Sequence, residues 1–305
     1  MPIVPTDVDY TSALCQQVIR ELTQRYSSCR SEDLTTTAYG RPVTALIIGT
    51  GPRKVFYSAS HHANEWITTP VVLKFVEDFA DAIENGGRLA GVDARELAEA
   101  VTVYTVPMVN PDGVDLVTGA VAPGTIPYVS AQILADYYPD IPFPEGWKAN
   151  LLGVDLNLQY PAGWLQAREI KFGQGYTRPG PRDYVGRAPL NQVESRAMAE
   201  YTEAIDPALV LAFHTQGKVI YWQFGEEEVP GARELGERMA QVSGYTLADT
   251  PYESSFAGYK DWFIQEFRRP GYTVEVGQGQ NPLPISQFDE IYRDNLPLMV
   301  SAALG

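Results

Sequence analysis

Val55-Phe56-Tyr57-Ser58-Ala59-Ser60-His61-His62-Ala63-Asn64-Glu65-Trp66 begins as an apolar, β-branched and aromatic run and ends at the entrance of a helix. Residues 55–60 read as a core strand. Residues 66–84 read as a long helix through Val71, Leu73, Phe75, Phe79 and Ile83. Working outward, 11–27 has helical spacing. Strands are expected at 35–39, 43–48 and 101–106, punctuated by Gly40-Arg41-Pro42 and Gly49-Thr50-Gly51-Pro52. Asn110-Pro111-Asp112-Gly113 reads as a turn. Downstream, helices are expected at 191–203, 230–243, 259–267 and 285–303, and strands at 208–213, 219–224 and 272–276. Strands alternating with helices predict a sheet covered on both faces, hence one α/β domain over residues 1–305. Residues 114–190 are rich in Pro, Gly and Tyr and predict a long loop region near a site. Its aromatic side chains are expected to stabilise the loops by packing, the alternative being a glycan platform.

The chain has 305 residues, 45% of them hydrophobic and 20% charged, enough for a large core. Its net charge of −15 makes a nucleic-acid partner or an anionic lipid surface unfavourable. No apolar run approaches the roughly 20 residues of a membrane span. The first ten residues carry no signal-peptide pattern, so a cytoplasmic address is expected, a mature secreted form being the alternative. Cys15 and Cys29 are separated by a helix that would hold them about 20 Å apart, so both read as free thiols.

Chemistry gathers around three histidines. His62 and Glu65 stand three residues apart where a strand gives way to a helix. His214 ends the buried strand expected at 208–213. Ligands and sites form at strand ends in open α/β sheets. Two imidazoles and one carboxylate suit zinc, with contacts of about 2.0–2.2 Å and one position left open for chemistry. The competing reading is three satisfied polar residues near the core. Glu275 is the next outlier, a carboxylate near the end of the strand Tyr272-Thr273-Val274-Glu275-Val276. A buried charge is costly unless paired or used. Glu275 is therefore either paired with Arg268 or Arg269, or a general base facing the metal.

Five separated stretches resemble the carboxypeptidase A-like zinc metallocarboxypeptidases. They are His62-Ala63-Asn64-Glu65-Trp66-Ile67, Pro107 with Asn110-Pro111-Asp112-Gly113, Gly153-Val154-Asp155-Leu156-Asn157, His214-Thr215 and Thr273-Val274-Glu275-Val276-Gly277. The resemblance spans roughly residues 10–300. It implies a single domain with a mixed, about eight-stranded sheet between helices, and one zinc ion per chain. It implies His62, Glu65 and His214 as zinc ligands, Glu275 as general base, and Asp155 as the carboxylate that orients His62. Lys148, in Trp147-Lys148-Ala149-Asn150, stands where the family has an oxyanion-binding arginine; a solvated surface lysine is the alternative.

Departures from the family pattern bear on substrate. Asn157, a substrate-binding position, is followed by Leu158 and not by the arginine that clamps a terminal carboxylate. Asn64 replaces an arginine often found before the zinc glutamate. Three further stretches resemble the γ-D-glutamyl-meso-diaminopimelate peptidases of Gram-positive bacteria. These are residues 147–161, Pro181-Arg182-Asp183-Tyr184-Val185-Gly186 and residues 276–284. That resemblance implies cleavage of peptidoglycan stem peptides, the alternative being an ordinary carboxypeptidase acting on unmodified peptides. A small peptide or muropeptide is thus the expected partner. No wall-binding module is seen in the chain. Lys260 and Arg182 are the candidate partners for substrate carboxylates, with surface ion pairs as the alternative. Tyr252 is the candidate for the family's mobile lid tyrosine, a substrate-binding position, its alignment to Asp261 needing a one-residue insertion.

Overall fold

The computed structural model describes residues 2–226 and 229–305. In chain order the helices are α1 (Ser12–Arg25), α2 (Thr68–Asn85), α3 (Ala94–Ala100), α4 (Pro111–Val117), α5 (Ile126–Ala135), α6 (Trp164–Gly173), α7 (Val193–Ile205), α8 (Ala232–Ser243), α9 (Tyr259–Phe267) and α10 (Phe288–Leu304). The strands are β1 (Cys29–Thr36), β2 (Pro42–Ile48), β3 (Arg53–Ala59), β4 (Arg88–Leu89), β5 (Val92–Asp93), β6 (Val101–Val106), β7 (Leu209–His214), β8 (Val219–Tyr221), β9 (Thr246–Ala248) and β10 (Gly271–Glu275). Eight strands form one mixed sheet in the order β1-β2-β6-β3-β7-β10-β8-β9, and β4 pairs with β5 as a separate hairpin.

Four central neighbours, β6, β3, β7 and β10, run parallel. Their apolar runs are buried on both faces, as parallel sheets require. Side chains alternate between the faces. Val55, Tyr57, Leu211, Phe213 and Val274 join a core with α1, α2, α8 and α10. Phe56, Val210 and Ala212 join a second core with Met198 of α7 and Phe263 of α9. Each fully buried side chain of this size stabilises the fold by about 1.5–3 kcal/mol. Because the four strands are parallel, their C-terminal ends all open on the same edge of the sheet.

Two expectations need correction. The stretch Asn110-Pro111-Asp112-Gly113 is not a free turn but the start of α4. The Asn110 side chain accepts from Gly113 N at 3.0 Å, and Pro111 opens the helix. The 114–190 region is not all loop, for it contains α5 and α6. Within it Phe143 packs edge-on to both Tyr128 and Trp147 over a small core with Ala63 and Leu151, so these rings support the loops. Cys15 and Cys29 are buried free thiols. Among the described residues no helix is long and apolar enough to cross a membrane.

Candidate active site

The parallel strand ends deliver the predicted residues to one place. His61 and His62 follow β3, His214 ends β7, and Glu275 ends β10 directly beside His214 in the sheet register. The three-residue turn Ala63–Glu65 then brings Glu65 back under His62. His62 Nδ1 lies 3.0 Å from Glu65 Oε1, and His214 Nδ1 lies 2.9 Å from Glu65 Oε2. The two Nδ1 atoms are 3.2 Å apart. Lone pairs cannot face each other at that distance without a proton or a cation between them. One donor atom from each of His62, Glu65 and His214 lies within 4.8 Å of the others. This donor set fits a divalent transition metal, and zinc in particular.

The surroundings prepare the ligands. Asp155 Oδ1 lies 3.1 Å from His62 Nε2, which fixes the ring with Nδ1 turned inward. Burial alone would favour neutral His62, but Glu65 and Asp155 push its pKa up to about 9. The pocket between these carboxylates therefore favours positive charge, whether proton or metal. Asp155 is held below the usual carboxylate range despite burial, chiefly by His62. Thr215 N donates to Glu65 Oε2 at 3.2 Å.

His61 is no ligand. It is fully buried behind the site, 3.2 Å from the Tyr160 hydroxyl and stacked on both His214 and Tyr259. Burial, followed by the His214 charge, lowers its pKa well below the ordinary histidine value.

Two cavities adjoin beside the ligands, the smaller one reaching His62 and His214. One, of about 250 Å³, is walled by His62, Asp155, Asn157, Leu158, Lys260 and Asp261, among others. The other, of about 670 Å³, is walled by Asn64, Glu145, Gln216, Gln280 and Asn281, among others. Lys148, Arg182, Tyr221 and Glu275 border both. Glu275 makes no ion pair among the described residues, and Arg269 instead pairs with Asp206 at 2.6 Å. Burial, then the nearby Glu65 charge, pushes Glu275 up to about 8. Lys148 Nζ donates to Glu65 Oε1 at 2.8 Å. Burial works against its charge, but Glu65 outweighs that and raises the ammonium's pKa.

The other sequence candidates divide. Asn157 borders the smaller cavity, and its Oδ1 accepts from Tyr259 N at 3.0 Å. Lys260 also borders it, but its ammonium is already bonded to Gln223 O at 2.6 Å and Thr250 Oγ1 at 3.2 Å and paired with Asp261 at 2.6 Å. Tyr252 is not brought into either wall. It is 64% exposed and packs edge-on to Phe256.

Comparison with known proteins accounts for this arrangement. A family model described as zinc carboxypeptidase matches residues 15–298. The chain belongs to the zinc carboxypeptidase family. It is a metallopeptidase, and zinc is the family's metal. The chain is 42% identical over 293 residues to gamma-D-glutamyl-L-diamino acid endopeptidase 1 of Lysinibacillus sphaericus, covering 96% of this chain and 72% of that one. Its fold is similar to that of thrombin activatable fibrinolysis inhibitor, with TM-score 0.78, 16% identity, and coverage of 100% of this chain and 76% of that one. It is also similar to the murein-tripeptide amidase MpaA of Escherichia coli O157, with TM-score 0.55, 18% identity, and coverage of 89% and 91%.

Sequence reasoning missed two residues that line the smaller cavity, Lys171 and Asp183. Lys171 Nζ lies 2.8 Å from Asp183 Oδ1, and both border the smaller cavity. The eleven residues between them run from the end of α6 into irregular backbone, so no periodic signal joins them. Only the buried lysine on α6 could have raised the question.

Proposed function

We propose that this enzyme hydrolyses the bond between γ-D-glutamate and the L-centre of meso-diaminopimelate in peptidoglycan stem peptides, using one zinc ion per chain. The observation that carries this reading is the wall of the smaller cavity. Leu158 is buried there, where a terminal-carboxylate arginine would serve an ordinary carboxypeptidase. Beside it the buried Lys260–Asp261 pair offers both signs of charge. The far end of diaminopimelate carries an ammonium and a carboxylate together, and a paired lysine and aspartate match it. The name of the 42% identical relative agrees with this substrate.

His62, Glu65 and His214 would hold the zinc. When bound, the ion supplies Lewis acidity, polarising a carbonyl oxygen and lowering the pKa of water. Asp155 keeps His62 in the ligating tautomer. Glu275 is the proton carrier: it accepts a proton from the attacking water and delivers it to the departing amine of diaminopimelate. Lys148, at the junction of the two cavities, donates to the carbonyl oxygen as negative charge collects on it. Asn157, its Oδ1 held by Tyr259 N, contributes its amide hydrogens to the bound diaminopimelate.

The test is mass spectrometry of products from L-Ala-γ-D-Glu-diaminopimelate and from the same stem extended by D-Ala. The expected products are L-Ala-D-Glu together with diaminopimelate or diaminopimelyl-D-Ala. Release of a terminal Phe or Lys from a blocked ordinary dipeptide, with both stems left intact, overturns the reading.

A further inference from the structure

Of the four residues that border both cavities, Glu275 and Lys148 already have roles, which leaves Tyr221 and Arg182. A side chain at that junction stands beside the bond to be cut. Arg182 Nε donates to Asp183 Oδ2 at 2.6 Å, and the other oxygen of Asp183 takes the Lys171 ammonium at 2.8 Å. Asp183 N donates in turn to Asp155 Oδ2 at 3.2 Å, with the backbone in the left-handed region at φ 63°. Two cations thus share the Asp183 carboxylate. The remaining guanidinium nitrogens of Arg182 make no hydrogen bond among the described residues. The other cations of the groove differ. Lys260 spends its three N–H donors on Gln223, Thr250 and Asp261, and Lys148 holds Glu65 and serves the carbonyl oxygen. Arg182 is the groove cation whose spare donors no role above claims, aimed by a carboxylate whose own place is fixed.

This bears on what is unusual in the proposed substrate. A γ-linked glutamate spends its side-chain carboxyl on the peptide bond. Its α-carboxylate then hangs free on the acyl side, a few carbons from the scissile carbonyl. An α-linked peptide has no charge there. Resting on the function proposed above, we propose that Arg182 binds the free α-carboxylate of the γ-linked D-glutamate. Asp183 and Lys171 act as positioning residues for its fork. A planar guanidinium held at one edge presents its other edge to a carboxylate in a charge-assisted, directional contact. Arg182 is thereby the group that separates γ-glutamyl bonds from ordinary ones. It also separates glutamate from isoglutamine, in which that carboxylate is an amide.

The experiment measures kcat/KM of the zinc-loaded full chain on L-Ala-γ-D-Glu-diaminopimelate and on its isoglutamine counterpart. Wild type should favour the carboxylate by about 10- to 100-fold, as a lost charged contact implies. Arg182→Gln should erase that preference by slowing the glutamate substrate alone. The isoglutamine rate, unchanged within about threefold, then certifies the fold and the chemistry. Lys171→Met should lower the same ratio, and Lys171→Arg should restore it. An equal loss on both substrates in Arg182→Gln, or no preference in wild type, overturns the assignment. Failure of wild type to cleave either substrate overturns the stem-peptide reading itself, and this subsite with it.

Discussion

The groove has two differently built sides. On the sheet side, His62, His214 and Glu275 sit at or just past the ends of β3, β7 and β10, whose side chains fill the core on both faces. On the loop side, Lys148, Asp155 and Arg182 stand on irregular backbone and Asn157 on a single 3₁₀ turn, all held by buried amides. Asn110 Nδ2 approaches His61 O, Lys148 O and Ala149 O at 3.0–3.3 Å. Gln159 Oε1 accepts from Asn191 N at 3.0 Å and Gln192 N at 3.1 Å, and its amide donates to Val185 O. Asn150 Nδ2 reaches Gln192 and Glu194 at 2.9 and 3.3 Å, while its Oδ1 accepts from Leu152 N and Val154 N at 3.1 Å. Gly113 lets α4 press against this scaffold, since a β-carbon there would lie 2.4 Å from Ala149 O. Apolar packing fixes the groups that must meet a metal. Hydrogen bonds fix those that choose a substrate, and these can be exchanged with less damage to the core.

The largest effect should come from the sheet side. Glu275→Gln keeps shape and removes the proton carrier, so turnover on a stem peptide should fall by about 10³- to 10⁴-fold. Zinc content after dialysis and the thermal midpoint should match wild type, because Glu275 is not among the three clustered ligands. Turnover near normal would remove Glu275 as the base. Loss of zinc would mean that it acts on the metal.

Lys148 tests whether the division is sharp. It hangs from the loop side, where its N–H and that of Ala149 donate to Pro181 O at 2.7 and 2.9 Å. Its ammonium nevertheless reaches a metal ligand on the sheet side. Lys148→Ala should cost about 10²-fold in kcat, the scale of one lost oxyanion donor, and Lys148→Arg should recover most of it. A loss equal to that of Glu275→Gln would break the comparison, making the loop side as much a part of the chemistry as the strand ends.

What could be read in the sequence follows the same division. β6 and α9 fall at the expected bounds because an apolar run and a helical apolar face each leave a local pattern. Each sheet-side residue interrupts such a pattern with a polar group, which is why His62, His214 and Glu275 stood out. α5 was hidden because its apolar residues point outward, Ile126 being 83% and Ile133 55% exposed. β1 was underestimated because it is a polar edge strand, CRSEDLTT, held by β2 and not by its own burial. Lys171 with Asp183, and Gln159 with the 185–192 backbone, are contacts between irregular segments. They depend on where the loops end up, and no spacing in the chain announces them.

Glu194 sharpens the comparison from the loop side with the smallest effect. It is 1% exposed at the start of α7 and takes the Asn150 amide. Burial first, and the Asp112 charge with it, push its pKa up from 4.5 to about 7. The folded chain therefore holds this proton more tightly than the unfolded chain. The stabilisation is complete below about pH 4.5 and is lost as pH rises through about 7. Glu194→Gln has no charge to bury, so its urea midpoint should fall less than that of wild type between pH 5 and 8. The gap should open to ~1–3 kcal/mol at pH 8. With zinc saturating in both proteins, turnover should stay within about twofold, since Glu194 touches the scaffold of the loop side and no group of the groove. Parallel stability curves would mean that Glu194 is already ionised in the fold, with Asn150 and its own backbone solvating the charge that burial exposes. A turnover loss without a stability change would tie this scaffold to the chemistry, and the two sides of the groove would then be one unit.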